Sequence, residues 1–256
     1  MAVDLAHANW YSNIHNSVAN DREPLNSHSD LASPEPAGLN HTALRRVFAS
    51  LHAESCPTAY NFHMHTLCSD GQLQPEQLIQ QALQIGLQGL AITDHHTLDG
   101  YWLAQQWLEQ QQDGAESHLP LLWTGVEVTS TLLGTEVHIL GYAFDPASAY
   151  MQPYLNGQSP SGEDAQAEQV VACIHGAGGL AVLAHPVRYR RSPEELIPAA
   201  AQIGIDGVET FYAYNNPTPW RPSPDQTERV QRLSAVYSLL NTCGTDTHGL
   251  SLLQRI

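Results

Sequence analysis

The sequence contains no lysine: all ten of its basic residues are arginine, set against 26 acidic residues, for a formal charge of −16 over 256 residues. A chain so short of cationic side chains is not built to grip long nucleic acid, because nonspecific binding scales with the number of phosphates that Lys and Arg neutralise. An acidic protein can still hold one phosphate locally. Cysteine is scarce too. Cys56, Cys68, Cys173 and Cys243 form no CxxC pair, which excludes a disulfide framework and a cysteine-type zinc site. Long apolar runs are missing as well: nothing approaches the roughly 18 residues of a membrane span, and no basic stretch followed by an apolar one opens the chain. Together these absences predict an untargeted, soluble, cytoplasmic protein without a membrane partner, and leave its oligomeric state open.

What is present falls into two parts. Residues 1 to about 38 are rich in Asn, Ser, His, Asp and Pro without periodic apolar positions, and are predicted to be disordered. They open an N-terminal extension over residues 1–55 whose one element is a short helix near 42–54, with Leu44, Val47, Phe48 and Leu51 at helical spacing and Asn40 or Thr42 as N-cap, packing against the outside of the main domain. Residues 56–256 read as a single α/β domain. Short apolar strands (YNFHMHT, GLAITDH, LLWTGVEVTS, EVHILGY, GLAVLAHP, GVETFY, NTCGTDTH) alternate with amphipathic helices opened by Pro or a capping residue and closed by Gly. The third and fourth strands are separated only by a TLLGT segment, so they predict a hairpin, and DPASAYMQPYLNGQSPSGED reads as a loop.

The metal-capable residues collect at strand ends. In NFHMHTLCSDG, His63 and His65 are two residues apart and share a face in an extended chain, and the Ser69-Asp70-Gly71 turn carries Asp70 over the strand end toward them. Asp94-His95-His96 ends the second strand, Glu127 lies near the end of the third, His138 within the fourth, His185 closes the fifth, and Asp246 and His248 close the last. In parallel α/β folds the carboxyl ends of the strands share one face, so these side chains should converge. Each alone has an ordinary alternative: a packed strand histidine, an ion-paired Glu127, a helix-capping Asp94. All of those alternatives would have to hold together over nearly 190 residues.

His7, His15, His28, His41, His52 and His118 fall away from the strand ends and read as solvated, while His175 sits near a helix end, where its charge complements the dipole. His96, on the face opposite His95, reads as a loop or supporting residue. Nine donors remain: His63, His65, His95, His138, His185, His248, Asp70, Glu127 and Asp246. One tetrahedral zinc takes about four ligands and one octahedral ion about six, so this set predicts two or three divalent cations with Glu127 as the natural bridge. Mixed nitrogen and oxygen donors without thiolate suit manganese, zinc or iron.

HMHTLCSDG, AITDHHT, GVEVTS, EVHILGY, AGGLAVLAHPVRY and CGTDTHG, in this order, resemble the motifs of the PHP family, named for polymerase and histidinol phosphatase, over about residues 60 to 250. The resemblance implies a distorted seven-stranded (βα) barrel with a trinuclear site at the strand ends, and by position the family's ligands fall on the same nine residues. Within the family the likeness is to the phosphoesterase branch that hydrolyses nucleotide phosphates or trims short RNA from its 5′ end. Members of that branch usually carry a helical insertion between the motifs matching His138 and His185. Here about 46 residues separate the two, so most of it is absent. The expected partner is a small phosphorylated substrate or short RNA.

Two cations a few ångströms apart lower the pKa of a bridging water and clamp the attacking and leaving oxygens at phosphorus, so the expected reaction is metal-dependent hydrolysis of a phosphate ester. Asp70, Glu127, Asp246 and His248 are the ligands expected to take part in that chemistry too. Of Arg188, Arg190 and Arg191, which follow His185-Pro186, Arg188 matches the family's motif, and with Tyr189 it is expected at the substrate's phosphate oxygens. Tyr212, Tyr214 and Trp220 are candidates to stack on a base at the rim, and Glu209, at a strand end, is expected to support the ligands. Two other readings use the same residues: a metal-dependent amidohydrolase, and a noncatalytic metal- or nucleotide-binding regulatory module.

Overall fold

The structure is a computed structural model in which residues 37–111 and 119–256 are described. The disorder expected at the N-terminus falls almost wholly outside these residues, as does His118. A 3-10 turn at Ala37–Leu39 leads into helix α1 (His41–Ser50), where the Asn40 side chain accepts the Ala43 N–H at 2.8 Å and so caps the first turn. Leu44 and Phe48, four residues apart on one face, are fully buried.

Among the described residues eight strands follow, in two sheets. β1 (Tyr60–Asn61), β2 (Gly89–Ala91) and β3 (Leu121–Trp123) run parallel; β4 (Gly125–Leu132), β5 (Thr135–Tyr142), β6 (Leu180–Leu183), β7 (Gly207–Phe211) and β8 (Leu240–Cys243) form a mixed sheet in that order. β4–β5 and β5–β6 are antiparallel, β6–β7 and β7–β8 parallel. The predicted hairpin is there: Leu133 and Gly134, both at positive φ, make the two-residue turn between β4 and β5 that matches the strand twist. The single strand read through LLWTGVEVTS is broken at Thr124 into β3 and β4, because Gly125 lies against the Ile92 carbonyl so closely that a Cβ there would come within 2.5 Å.

The fold is α/β, as expected, with one parallel and one mixed sheet; the pairing does not close the two into one barrel. Between the sheets, regular pairing dwindles to isolated bridges, Met64 with Thr247 and His95 with Glu127. The cause is local: His96, His185 and Asp246 carry positive φ, which interrupts extended backbone at the strand ends that bear the donors.

The helices fall where their capping signals place them. α2 (Pro75–Ile85) starts at Pro75 and stops at Gly86, whose φ of 86° a side chain would resist; α5 (Pro193–Gln202) starts with a Ser192/Glu195 capping box. α3 (Asp99–Gln111), α4 (Ala167–Gly176) and α6 (Pro224–Val236) complete the set. The segment read as a loop holds a 3-10 helix, Ala149–Tyr154, because Met151 and Tyr154, three residues apart, both bury completely. Apolar side chains form two clusters. One packs helices on strands; the other joins Leu44 and Phe48 of α1 to Phe62, Trp123, Leu140, Tyr142, Val182 and Phe211. Phe48 meets Phe62 edge-on at 4.9 Å. Thus α1 closes the second cluster with core residues of its own.

Candidate metal centre

Strand alternation explains the floor of the site. In β5, His138, Leu140 and Tyr142 share a face: the last two enter the cluster beneath α1 and His138 continues that face upward, opposite Thr129 in the hairpin register. Glu127, opposite Leu140 in the same register, is buried in β4. β6 ends at Leu183, and His185 escapes the strand's alternation through its φ of 25°, as Asp246 does after β8 through a φ of 53°. Both side chains are thereby available to the cluster.

Glu127 is the hub. Its Oε1 lies 2.7 Å from His138 Nδ1 and 3.3 Å from His185 Nε2, and its Oε2 lies 3.1 Å from Nε2 of both His63 and His65 and 3.5 Å from His95 Nε2. Asp246 Oδ1 stands 3.4 Å from His63 Nε2, 3.3 Å from His65 Nε2 and 3.5 Å from His248 Nδ1. Asp70 reaches His65 Nδ1 at 3.4 Å, His248 Nε2 at 3.2 Å and His95 Nε2 at 3.8 Å. All nine sequence-predicted donors therefore meet in one connected cluster.

The distances test whether cations fit. Two donors each about 2.1 Å from a tetrahedral ion stand about 3.4 Å apart, longer than an ordinary N–H···O bond of about 2.9 Å. Most of the separations above match the edge of a coordination polyhedron. Consistently, both ring nitrogens of His65, which face Asp70 on one side and Glu127 and Asp246 on the other, are buried without a hydrogen-bond partner among the described residues. Three groups have ligand atoms mutually within 4.8 Å: His63, His65, Glu127 and Asp246; His65, Asp70, His95 and His248; and His95, Glu127 and His138. The residues present fit divalent cations.

The electrostatics agree. Burial alone would raise the Glu127 and Asp246 carboxyls, but the surrounding histidines outweigh it and hold both well below the usual carboxylate range. Burial would likewise depress His63 and His65, yet their carboxylate neighbours raise His63 well above its ordinary value and His65 to about 9. His95 and His185 are pushed down by burial. Such a field attracts protons, and a divalent cation meets the same field with greater charge.

Supporting contacts surround the donors. Glu209, fully buried, takes His63 Nδ1 at 3.0 Å on one oxygen and accepts the His185 backbone N–H at 2.9 Å on the other. Asp94 caps no helix. It accepts the Thr66 N–H at 2.7 Å and the Thr66 and Ser69 hydroxyls, both at 2.6 Å, fixing the turn that carries Asp70. Tyr189 accepts the His138 N–H at 2.8 Å and packs its ring 5.4 Å from that of His185. His96 bonds Thr129 at 3.2 Å, away from the hub. Arg188 Nη1 bonds Asp246 Oδ2 at 2.9 Å, whereas Arg191 pairs with Glu195 and the Leu133 carbonyl, outside the site.

The rim aromatics differ from expectation. Tyr212 is buried with its hydroxyl donating to Asp246 Oδ2 at 2.6 Å and its ring edge-on to those of His185 and Tyr214, and Trp220 belongs to the apolar cluster beneath α1. Trp220 is thereby withdrawn from the rim, while Tyr212 and Tyr214 line a cavity beside Asp246. Arg255, which no sequence signal marked, bonds Asp246 Oδ2 through Nε at 2.8 Å. Only its return from the loop after His248 brings it there.

Among known proteins, residues 61–175 match the PHP domain. A 5′-3′ exoribonuclease of Haemophilus influenzae is 24% identical over 74% of this chain and 89% of its own length. A 3′,5′-nucleoside bisphosphate phosphatase of Chromobacterium violaceum is 30% identical over 52% of this chain and 44% of its own. A Bifidobacterium adolescentis protein described as a candidate metal-dependent phosphoesterase has a crystal structure that superposes with a TM-score of 0.60 at 24% identity, covering 75% of this chain and 88% of that one.

Proposed function

We propose that this chain, whose residues 61–175 match the PHP domain, is a metal-dependent phosphoesterase acting on the phosphate ester of a nucleotide or short oligonucleotide. The single observation that carries the reading is Glu127 with five histidines within 3.5 Å of its two oxygens, which gives one carboxylate the means to bridge adjacent cations. The names of the Haemophilus and Chromobacterium relatives support a nucleotide or RNA substrate. Two or three divalent ions are proposed, drawn from manganese, zinc and iron, held by His63, His65, Asp70, His95, Glu127, His138, His185, Asp246 and His248. Bound there, they would supply Lewis-acid polarisation of the phosphoryl oxygens and an acidified water near neutral pH.

The chain's own residues do the rest. His63, His65 and His185 form a buried floor, while Asp70, about half exposed, and the partly exposed His95, His138 and His248 form the open side from which a phosphate ester approaches. Asp70, Glu127, Asp246 and His248 orient the reacting groups. Arg188, 40% exposed and anchored on Asp246, offers further N–H groups to non-reacting phosphate oxygens, and Tyr189 steadies His138 beside it. The barrel and the domain limits belong to this proposal as well. The Phe62 and His65 N–H groups bond the Cys243 and Thr247 carbonyls at 3.1 and 3.0 Å, which supports a distorted barrel joined across β1 and β8, with the catalytic domain spanning residues 56–256. No described helix is long and apolar enough to cross a membrane, and four free cysteines suit the cytoplasmic placement proposed.

The test is phosphate release from a panel of mononucleotides, nucleoside bisphosphates and short 5′-phosphorylated RNA with Mn²⁺ present. Release that disappears on chelation and in Glu127→Gln is the expected result. Metal uptake without release from any member would refute the enzymatic reading.

A further inference from the structure

Asp246 and His248 are the two donors that follow β8, and one residue touches both. Arg255 donates through Nε to Asp246 Oδ2 at 2.8 Å, while its carbonyl accepts the His248 N–H at 2.6 Å and the Gly249 N–H at 3.2 Å. The segment that delivers it, residues 249–256, is pinned along its length. At its start Gly249 lies so close to the Ile256 backbone that a Cβ there would come within 3.1 Å. In its middle Leu252 is fully buried in the core, and the Gln81 side chain of α2 takes the polar groups around it, donating to the Leu250 carbonyl at 2.9 Å and accepting the Leu252 N–H at 3.0 Å. Near its end the Thr247 hydroxyl donates to the Gln254 carbonyl at 2.8 Å. Arg255 is thereby presented to Asp246 from a fixed backbone.

Asp246 is a residue that needs holding. Its φ of 53° is unfavourable for a residue with a Cβ, and either oxygen of a freely turning carboxylate could face a cation. Oδ1 faces His63, His65 and His248, whereas Oδ2 receives Arg255, Arg188 and the Tyr212 hydroxyl. The two guanidiniums are not equally constrained. The Arg188 side chain is 40% exposed and that of Arg255 only 19%, so Arg255 has less freedom left to lose in holding its bond.

We propose that Arg255 is a positioning residue of the metal centre, keeping Asp246 turned so that Oδ1 faces the neighbouring histidines and anchoring the backbone of His248, and that Gln81 acts through it by clamping the segment. This rests on the metal-binding reading of the neighbouring cluster. The role has a sign that separates it from a simple charge. A guanidinium acting only through its charge repels cations, so its loss would tighten metal binding. One that orients a ligand has the opposite effect, because loss of a ligand's hydrogen-bond partner typically weakens metal binding by about 10–100-fold.

The experiment measures Mn²⁺ affinity by competition with a chromogenic chelator in metal-stripped wild type, Arg255→Gln, Arg255→Lys and Gln81→Ala. Affinity should fall about ten-fold or more in Arg255→Gln. It should fall less in Arg255→Lys, whose ammonium can still donate to Oδ2, and less in Gln81→Ala, which touches no donor and removes only the clamp. Unchanged or tighter binding in Arg255→Gln would overturn the proposal, as would equal losses in Arg255→Gln and Arg255→Lys, the mark of a merely structural side chain. Gln81→Ala binding as wild type does would overturn the part given to the clamp. Wild type that takes up no Mn²⁺ would overturn the metal-binding reading and the proposal with it.

Discussion

Replacing Glu209 by glutamine removes one charge and almost no volume, so its consequences follow from hydrogen bonding alone. The wild-type carboxylate accepts from His63 Nδ1 at 3.0 Å and from the His185 N–H at 2.9 Å. Glutamine has one acceptor oxygen to offer. If that oxygen faces His63, the amide NH₂ opposes the buried His185 N–H, and an unsatisfied donor of that kind costs about 1–3 kcal/mol. If the amide turns over, it donates to His63 Nδ1 and drives the ring proton to Nε2, the nitrogen that lies 3.1 Å from Glu127. His63 then has no lone pair for a cation. Loss of such a supporting carboxylate typically costs 10–100-fold in metal affinity, or about 1.4–2.7 kcal/mol. Mn²⁺ or Zn²⁺ affinity of Glu209→Gln, measured by competition with a chromogenic chelator, should fall by about that factor, and kcat should recover substantially at saturating metal. Affinity within two-fold of wild type, in a variant of unchanged fold, would refute the role given to Glu209.

Three further outcomes follow from the packing and the charges. Phe48→Ala, which empties the space against Phe62 and Tyr142, should destabilise the fold by about 3–5 kcal/mol in urea melts; a loss under about 1 kcal/mol would mean that α1 is an appendage. Asp206 lies between Arg45 of α1, His175 of α4 at 2.8 Å and the Ala181 N–H at 2.9 Å. Burial would raise its carboxyl, but His175, the Ala181 N–H and Arg45 hold it below the ordinary value, so its stabilisation is present above the ordinary carboxylate pKa and is lost as pH falls through the folded one. Asp206→Asn should therefore lower Tm near pH 7 and flatten its decline below about pH 4, while parallel acid limbs would contradict the linkage. Removing metal with a chelator should lower Tm, since an ion at about 1,000 times its Kd stabilises by about 4 kcal/mol, worth roughly 8–16 °C in a chain of this size. An unchanged Tm after elemental analysis shows the metal gone would argue that the cluster does not bind the ion tightly in the folded state.

The donors were legible in the sequence because strand ends in α/β folds share a face, and six histidines and three acids punctuated seven apolar runs. Periodicity alone would have misplaced two of them. His185 follows Ala184, whose neighbours on the same face enter the cluster beneath α1, so simple alternation sends the imidazole to the opposite side; its φ of 25° brings it back. Asp246 is turned in the same way. That backbone conformation is unfavourable for a residue with a Cβ and depends on surrounding bonds, such as Glu209 to the His185 N–H, that no local pattern encodes. Arg255 was illegible for a related reason, since it reaches Asp246 through the chain reversal after His248, whereas Tyr212, just past the end of β7, was legible at the rim but not as a donor to Asp246. The same positive-φ residues that aim donors inward also interrupt the strands, so the pairing gives two sheets where the strand pattern alone carries no sign of the break. The donors bridge that gap: His63, His65 and His95 follow β1 and β2 of one sheet, while Glu127, His138, His185, Asp246 and His248 belong to the strands and strand ends of the other. Coordination would thus link the two sheets where the backbone does so only sparsely, making the chemistry of the site and the integrity of the fold a single coupled equilibrium.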